Sequence, residues 1–276
     1  MRLMLLVSAL FLFAGNVKSQ SCCEPGAMDI YARNGSSNQF KSAHELPAPY
    51  VHISETGKDI NFKTPDGKDA HGWFLPAKKK SPYYLFVIHE WWGLNDHIKR
   101  ESEKYWNDLG INVLAIDLYD GVVATTREEA GKTMQAITPE RAESIIRGAY
   151  GYAGADAKVF TVGWCFGGGW SLQTGLLGGK QLAGTLMYYG QPEKDVEKLK
   201  TLNADVIGFF GSRDQWPSVQ VVNEFKENMA KAGKKLYLHM YDAEHAFANP
   251  SNPKYDEAAT KDSYQKSIAF IKERMK

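Results

Sequence analysis

The stretch "KVFTVGWCFGGGWSLQTGLL", residues 158–177, decides the fold. A run of branched and aromatic residues ends at Trp164, glycines surround a single cysteine, and helical spacing follows. Gly163 and Gly167 flank Cys165 in a Gly-x-nucleophile-x-Gly arrangement. Between a strand and a helix this pattern has a mechanical reason: the nucleophile sits on a sharp, strained turn, and the two elements approach too closely for bulk on either side. Other uses of these glycines fail on spacing. A phosphate-binding loop would end in Gly-Lys-Ser/Thr where Gly168-Gly169-Trp170 stands, and a dinucleotide fingerprint would need glycine in place of Cys165. A packing cysteine is the remaining alternative, since free Cys is among the most buried residue types.

Outward from this turn, short apolar runs recur: "YVHIS" (50–54), "GWFLP" (72–76), "YYLFVIH" (83–89), "INVLAID" (111–117), "AGTLMYYG" (183–190), "DVIGFFG" (205–211) and "LYLHMYD" (236–242). With 158–164 they predict about eight strands. Helical spacing lies over 97–108, 126–152 with a break near Pro139, 168–178, 217–231 and 254–275. Strand and helix alternate from residue 83, so the fold class is α/β, a mostly parallel sheet covered by helices on both faces. Between the first two strands stands only "TPDGKDA" (64–70), whose Asp66-Gly67 marks a hairpin, so the sheet begins antiparallel.

At 276 residues and 43% hydrophobic, the chain can bury the core of one large domain. Its 33 basic residues against 32 acidic ones create no field that would draw it to nucleic acid or to an anionic membrane. Residues 1–20 read as a secretory signal, with Arg2 ahead of the apolar run Leu3–Ala14, which is too short to span a bilayer. The expected location is therefore periplasmic or extracellular. Ser21 before Cys22 suits lipid attachment, but the usual upstream aliphatic is missing, so an anchor is left open. Residues 21–49 read as an irregular lead-in or tether, and 50–276 as the folded domain. Cys22 and Cys23 are adjacent, so no disulfide framework can be built, and Cys165 stands alone in the body of the chain.

A thiol is mostly neutral at pH 7, so a nucleophilic cysteine needs a base or a positive field. On this type of fold the order along the chain is nucleophile, acid, histidine, each on a loop leaving a strand. Asp214 follows "DVIGFFG" and His245 follows "LYLHMYD", in that order. The other histidines have weaker claims: His44 falls in the lead-in, His52, His71 and His239 in strands, and His97 opens a helix. In "HEWWGLNDH" a zinc-protease pattern would need histidine at Gly93, so no metal is expected. "VIHEWWG" follows the most apolar strand and suits a second oxyanion donor, giving the backbone N–H groups of Trp91 and Phe166.

Cys165, Asp214 and His245, together with Glu90 in "HEWWG", resemble the dienelactone hydrolase family, a cysteine-nucleophile branch of the α/β-hydrolase fold. The similarity runs over roughly residues 55–275 and is carried by "GWCFGG", "DLYDG" and "EHAF". It implies hydrolysis of an ester or lactone of a small organic molecule through a cysteine acyl-enzyme, without cofactor. It also implies that the Glu90 carboxylate rests against the thiol and is displaced by substrate. Two arginines that grip a substrate carboxylate in such enzymes are replaced here by Gly121 and Asn249. Arg127 lies near but is not assigned to that task, and substrate-binding residues stay unassigned. Aromatic residues cluster around the turn, which suits an apolar or aromatic ester. A non-catalytic exported binding protein on the same fold, and a peptidase or acyltransferase, are the competing readings.

Overall fold

The structure, a computed structural model, describes residues 26–275. The stretch read as a secretory signal, with Cys22 and Cys23, lies outside the described residues. Eight strands form one sheet: β1 (Lys58–Lys63), β2 (Asp69–Leu75), β3 (Tyr83–Ile88), β4 (Asn112–Ile116), β5 (Lys158–Trp164), β6 (Leu182–Tyr188), β7 (Val206–Gly211) and β8 (Leu236–Tyr241). Their order across the sheet is β1-β2-β4-β3-β5-β6-β7-β8. β1–β2 and β2–β4 pair antiparallel, and all later pairs are parallel.

The helices are α1 (Ala27–Ala32), α2 (Asn38–Ala43), α3 (Asp96–Leu109), α4 (Arg127–Ala136), α5 (Pro139–Ala153), α6 (Phe166–Leu177), α7 (Val196–Leu199), α8 (Val219–Lys231) and α9 (Glu257–Arg274). The break near Pro139 is a true helix end. Thr138 caps α5 through its side chain, which accepts from the Arg141 N–H, and Pro139 occupies the first turn, where a missing N–H costs nothing. β3, β4 and β5 are buried along most of their length, which is why their sequences read as continuous apolar runs.

Two expectations are corrected. "YVHIS" is not a strand: Val51 and Ile53 are exposed, and β1 instead begins at Lys58. β1 is an edge strand with only Phe62 fully buried, so its sequence, "KDINFK", carries little apolar signal. The hairpin itself stands where Asp66-Gly67 put it, with Gly67 at φ 81°. The second correction concerns the lead-in. Residues 27–43 form α1, a 3₁₀ turn and α2, and they dock on the domain. Gly35 and Gly131 abut so closely that a Cβ on either would lie within 2.6 Å of the other's carbonyl oxygen. Arg127 donates to the His44 carbonyl (2.8 Å) and to Glu45 Oε2 (2.6 Å). Tyr31 and Phe40 are buried by this docking.

Candidate active site

β5 ends at the centre of the sheet, and α6 begins one residue later, with Cys165 between them. Cys165 has φ 56° and ψ −119°, a region that non-glycine residues rarely occupy. What holds it there is the crossing of the two elements. A Cβ on Gly163 would lie 2.0 Å from the Gly167 carbonyl oxygen, and one on Gly167 would lie 2.3 Å from that of Ile88. Neither neighbour can yield, because both are backbone. The turn therefore projects the sulfur at the parallel strands' C-terminal rim, at the N-terminus of a 12-residue helix.

The same rim carries Asp214 and His245. Past the ends of β7 and β8 the two loops stay joined, Ser212 N–H to the Tyr241 carbonyl (2.8 Å) and Arg213 N–H to that of Ala243 (3.0 Å). Gly211 allows this approach, since a Cβ there would meet the Ala243 carbonyl at 2.4 Å. His245 Nδ1 donates to Asp214 Oδ2 at 2.8 Å, and Asp214 Oδ1 accepts from the Trp216 N–H at 2.7 Å. Both side chains are buried. Burial opposes charge on the ring, but the Asp214 carboxylate and the nearby Cys165 sulfur prevail and hold the His245 pKa well above its ordinary value. Among the described residues its Nε2 is buried with no hydrogen-bond partner, and the ring brings a nitrogen within 4.8 Å of Cys165 Sγ. The sequence order of nucleophile, acid and histidine thus converges at one point. Among the described residues, the Phe166 and Trp91 N–H groups donate to no internal acceptor, so both are free for an oxyanion.

Two residues at the thiol were not foreseen. Tyr31 Oη lies 3.2 Å from Cys165 Sγ, and His44 Nε2 lies 3.5 Å from it. The His44 Nδ1 donates to the Phe40 carbonyl at 2.7 Å, and because a carbonyl only accepts, Nε2 presents its lone pair to the sulfur. Burial and the neighbouring His245 push the His44 pKa well below its ordinary value, so the ring is neutral. Phe40 seals the arrangement, edge-on to Tyr31, Trp91 and Trp216 at 5.4–5.6 Å and against His44 at 4.0 Å. The cavity bounded by His44, Glu90, Trp91, Cys165 and His245 retains about 10 Å³, room for about one water. In this conformation the N-terminal segment, through Tyr31, Phe40 and His44, covers the Cys165 sulfur.

Glu90 does not rest against the thiol as the resemblance implies. Its Oε2 accepts from Asn249 Nδ2 at 2.7 Å, while the sulfur's hydrogen-bonding neighbours are Tyr31 and His44. The two positions lacking the family's arginines are also occupied by internal bonds. The Gly121 N–H goes to Asp117 Oδ2, and the Asn249 amide to Glu90. Arg127 is committed to His44 and Glu45.

With this geometry in view, the matches to known proteins are specific. The model of the dienelactone hydrolase family matches residues 73–275. The chain belongs to the dienelactone hydrolase family. A carboxymethylenebutenolidase of a Pseudomonas species is 29% identical over 216 residues, 73% of this chain and 88% of that protein. Carboxymethylenebutenolidase 1 of Cupriavidus pinatubonensis is 26% identical over 200 residues, 67% of this chain and 83% of its own length. Among solved structures, a dienelactone hydrolase-like promiscuous phosphotriesterase from metagenomic libraries superposes with a TM-score of 0.68 at 21% identity, covering 79% of this chain and 98% of that one. Brefeldin A esterase superposes with a TM-score of 0.62 at 12% identity, covering 90% and 85%. These two likenesses establish the α/β-hydrolase fold. The family match begins at Trp73, so Tyr31, Phe40 and His44 lie in a segment outside it.

Burial raises the Glu90 pKa to about 7, against the opposing pull of His245 and Asn249. The folded protein therefore keeps a proton that the unfolded chain releases from about pH 4.5 upward, and stability falls with rising pH across the window from about 4.5 to about 7. The loss amounts to about 3 kcal/mol. Urea unfolding at the two ends of this window should show the decline in the parent protein and its absence in Glu90→Gln; an identical decline in both would remove the assignment.

Proposed function

We propose that the protein hydrolyses esters or lactones of small, uncharged organic molecules through an acyl-enzyme on Cys165. The observation that carries this reading is the meeting of Cys165 Sγ and a ring nitrogen of His245 within 4.8 Å, with the imidazole Nδ1 bonded to Asp214 at 2.8 Å. In this reading the Cys165 thiolate attacks the carbonyl carbon, forming a C–S bond. The developing oxyanion is received by the Phe166 and Trp91 N–H groups. His245 then passes its Nε2 proton to the departing alkoxide as the C–O bond breaks, while Asp214 steadies the imidazolium. A water molecule, deprotonated by the neutral ring, attacks the thioester and releases the acid, returning the proton to His245. Glu90 enters as the carboxyl that lines the same cavity and titrates near pH 7.

The preference for uncharged substrates rests on several side-by-side facts. Gly121 and Asn249 offer no guanidinium, Arg127 is already bonded to Glu45, Arg100 beside Glu90 is bonded to Glu101, and Arg213 in the groove outside His245 is paired with Asp242. A substrate carboxylate would thus meet no uncommitted guanidinium, and the cavity wall sets the apolar Trp91, Trp92 and Ala246 beside the acidic Glu45 and the amides Asn249 and Asn252, with no cation among them. Because the cavity holds only about one water, turnover requires Tyr31, Phe40 and His44 to withdraw. Export is carried in this reading by the Arg2 and Leu3–Ala14 stretch alone. Recovery of a mature chain that lacks Arg2 and Leu3–Ala14 supports it, and an intact Met1 on the functional protein contradicts it.

Cys165→Ala should lower the hydrolysis of a neutral aryl ester by roughly 10⁴-fold or more while the thermal unfolding midpoint stays within a few degrees of the parent. Undiminished turnover by a folded Cys165→Ala protein would eliminate this function.

A further inference from the structure

We infer that His44, Cys165 and His245 form a binding site for a borderline-soft divalent cation of the zinc class, and that the loaded site locks the N-terminal segment over the nucleophile. Zinc reading of "HEWWGLNDH" fails on spacing, but that test does not touch these three residues, which come from the lead-in, the β5–α6 turn and the loop after β8. All three are buried, and one ligand atom from each, a ring nitrogen of either histidine and the cysteine Sγ, lies within 4.8 Å of the others. One thiolate and two imidazoles are the donor set that zinc favours, and three protein ligands leave a fourth position open.

The geometry is close to what coordination demands. Tetrahedral zinc, with Zn–S near 2.3 Å and Zn–N near 2.0 Å, sets the sulfur and nitrogen about 3.5 Å apart. Cys165 Sγ and His44 Nε2 are 3.5 Å apart. No other pair needs to close by more than about 1.5 Å to reach such an edge. Both rings are already oriented from behind, as metal-bound histidines are: His44 Nδ1 donates to the Phe40 carbonyl (2.7 Å), and His245 Nδ1 to the Asp214 carboxylate (2.8 Å). Among the described residues His245 Nε2 is buried and has no hydrogen-bond partner, an unpaired polar atom beside the thiol and the second imidazole. Tyr31 Oη also lies against the sulfur, at 3.2 Å. From outside, a groove lined by Gln39, Asp214, Trp216 and Lys254 reaches His245.

Coordination takes the thiolate and two neutral imidazoles, so protons held by these groups pass to solvent. The cation then ties the nucleophile and its acid–base partner to a residue of the segment. The inhibitory consequence rests on the proposed hydrolase activity; the binding itself does not.

The full chain is titrated with Co²⁺, whose thiolate-to-metal charge-transfer absorption reports a Co–S bond, and with Zn²⁺ in competition. One equivalent of Co²⁺ should give the band and one of Zn²⁺ should abolish it. Cys165→Ser should lose the band, and His44→Gln should weaken binding by about 10-fold or more. Zn²⁺ should also raise the unfolding midpoint of the parent more than that of His44→Gln, a readout that needs no activity. In a parallel assay Zn²⁺ should suppress aryl-ester hydrolysis reversibly, with recovery on adding a chelator. Absence of the band, or a band unchanged by both substitutions, overturns the site. A band that behaves as expected in a protein that hydrolyses no ester supports the site and refutes the hydrolase reading instead.

Discussion

The site depends on one steric constraint, the crossing of β5 and α6 at Gly163 and Gly167. A Cβ at either position would intrude to within 2.3 Å of a backbone oxygen, so only two hydrogens make room for the turn. Everything else at the rim is placed relative to that turn. Cys165 is forced to φ 56°, its sulfur leaves the sheet at the helix N-terminus, and the first helical N–H is left without an acceptor. Strain of this kind costs of order 1–3 kcal/mol and survives only where surrounding structure over-determines it. Here the over-determination comes from β3, β5 and β6, whose side chains are almost wholly buried.

Electrostatics completes what sterics begins. A buried aspartate and a buried charged histidine would each be costly alone. Together they compensate one another, since Asp214 accepts two hydrogen bonds and the imidazole has an anionic neighbour on one side and sulfur on the other. His44 balances differently. It is neutral, its donor nitrogen is satisfied by its own helix at Phe40, and its acceptor nitrogen faces the sulfur. The two histidines are 4.8 Å apart between ring centres yet are pushed in opposite directions, because only one of them has a carboxylate behind it.

What the sequence disclosed follows the range of the interactions. The turn at Cys165 was legible because its glycines are neighbours of the residue they serve. The alternation of strands and helices and the order Cys165, Asp214, His245 were legible because a parallel sheet delivers successive loops to the same rim. The first strand was misplaced by a few residues because an edge strand such as "KDINFK" needs few apolar side chains, while the exposed "YVHIS" has the composition of a buried one. Tyr31 and His44 were not legible at all. Their contacts with Cys165 span 134 and 121 residues, and the helix that carries Tyr31 and the one that ends just before His44 are only six residues long, too short to announce themselves by periodicity. The i, i+4 spacing of Phe40 and His44 was the only local signal, and it does not point to a distant thiol. Glu90 was recognised, but its bond to Asn249 was not, because that bond joins loops after β3 and β8.

The chain thus presents a hydrolase-type rim whose nucleophile is covered by its own N-terminal helices. The most direct test of that rim is to quench the protein during reaction with a slowly hydrolysed neutral aryl ester and to map the covalent adduct by peptide mass spectrometry. A single acyl group on the peptide containing Cys165, appearing and then decaying as product forms, is the predicted result. Product release with no acylated Cys165, or an acyl group carried by any other residue, would contradict it.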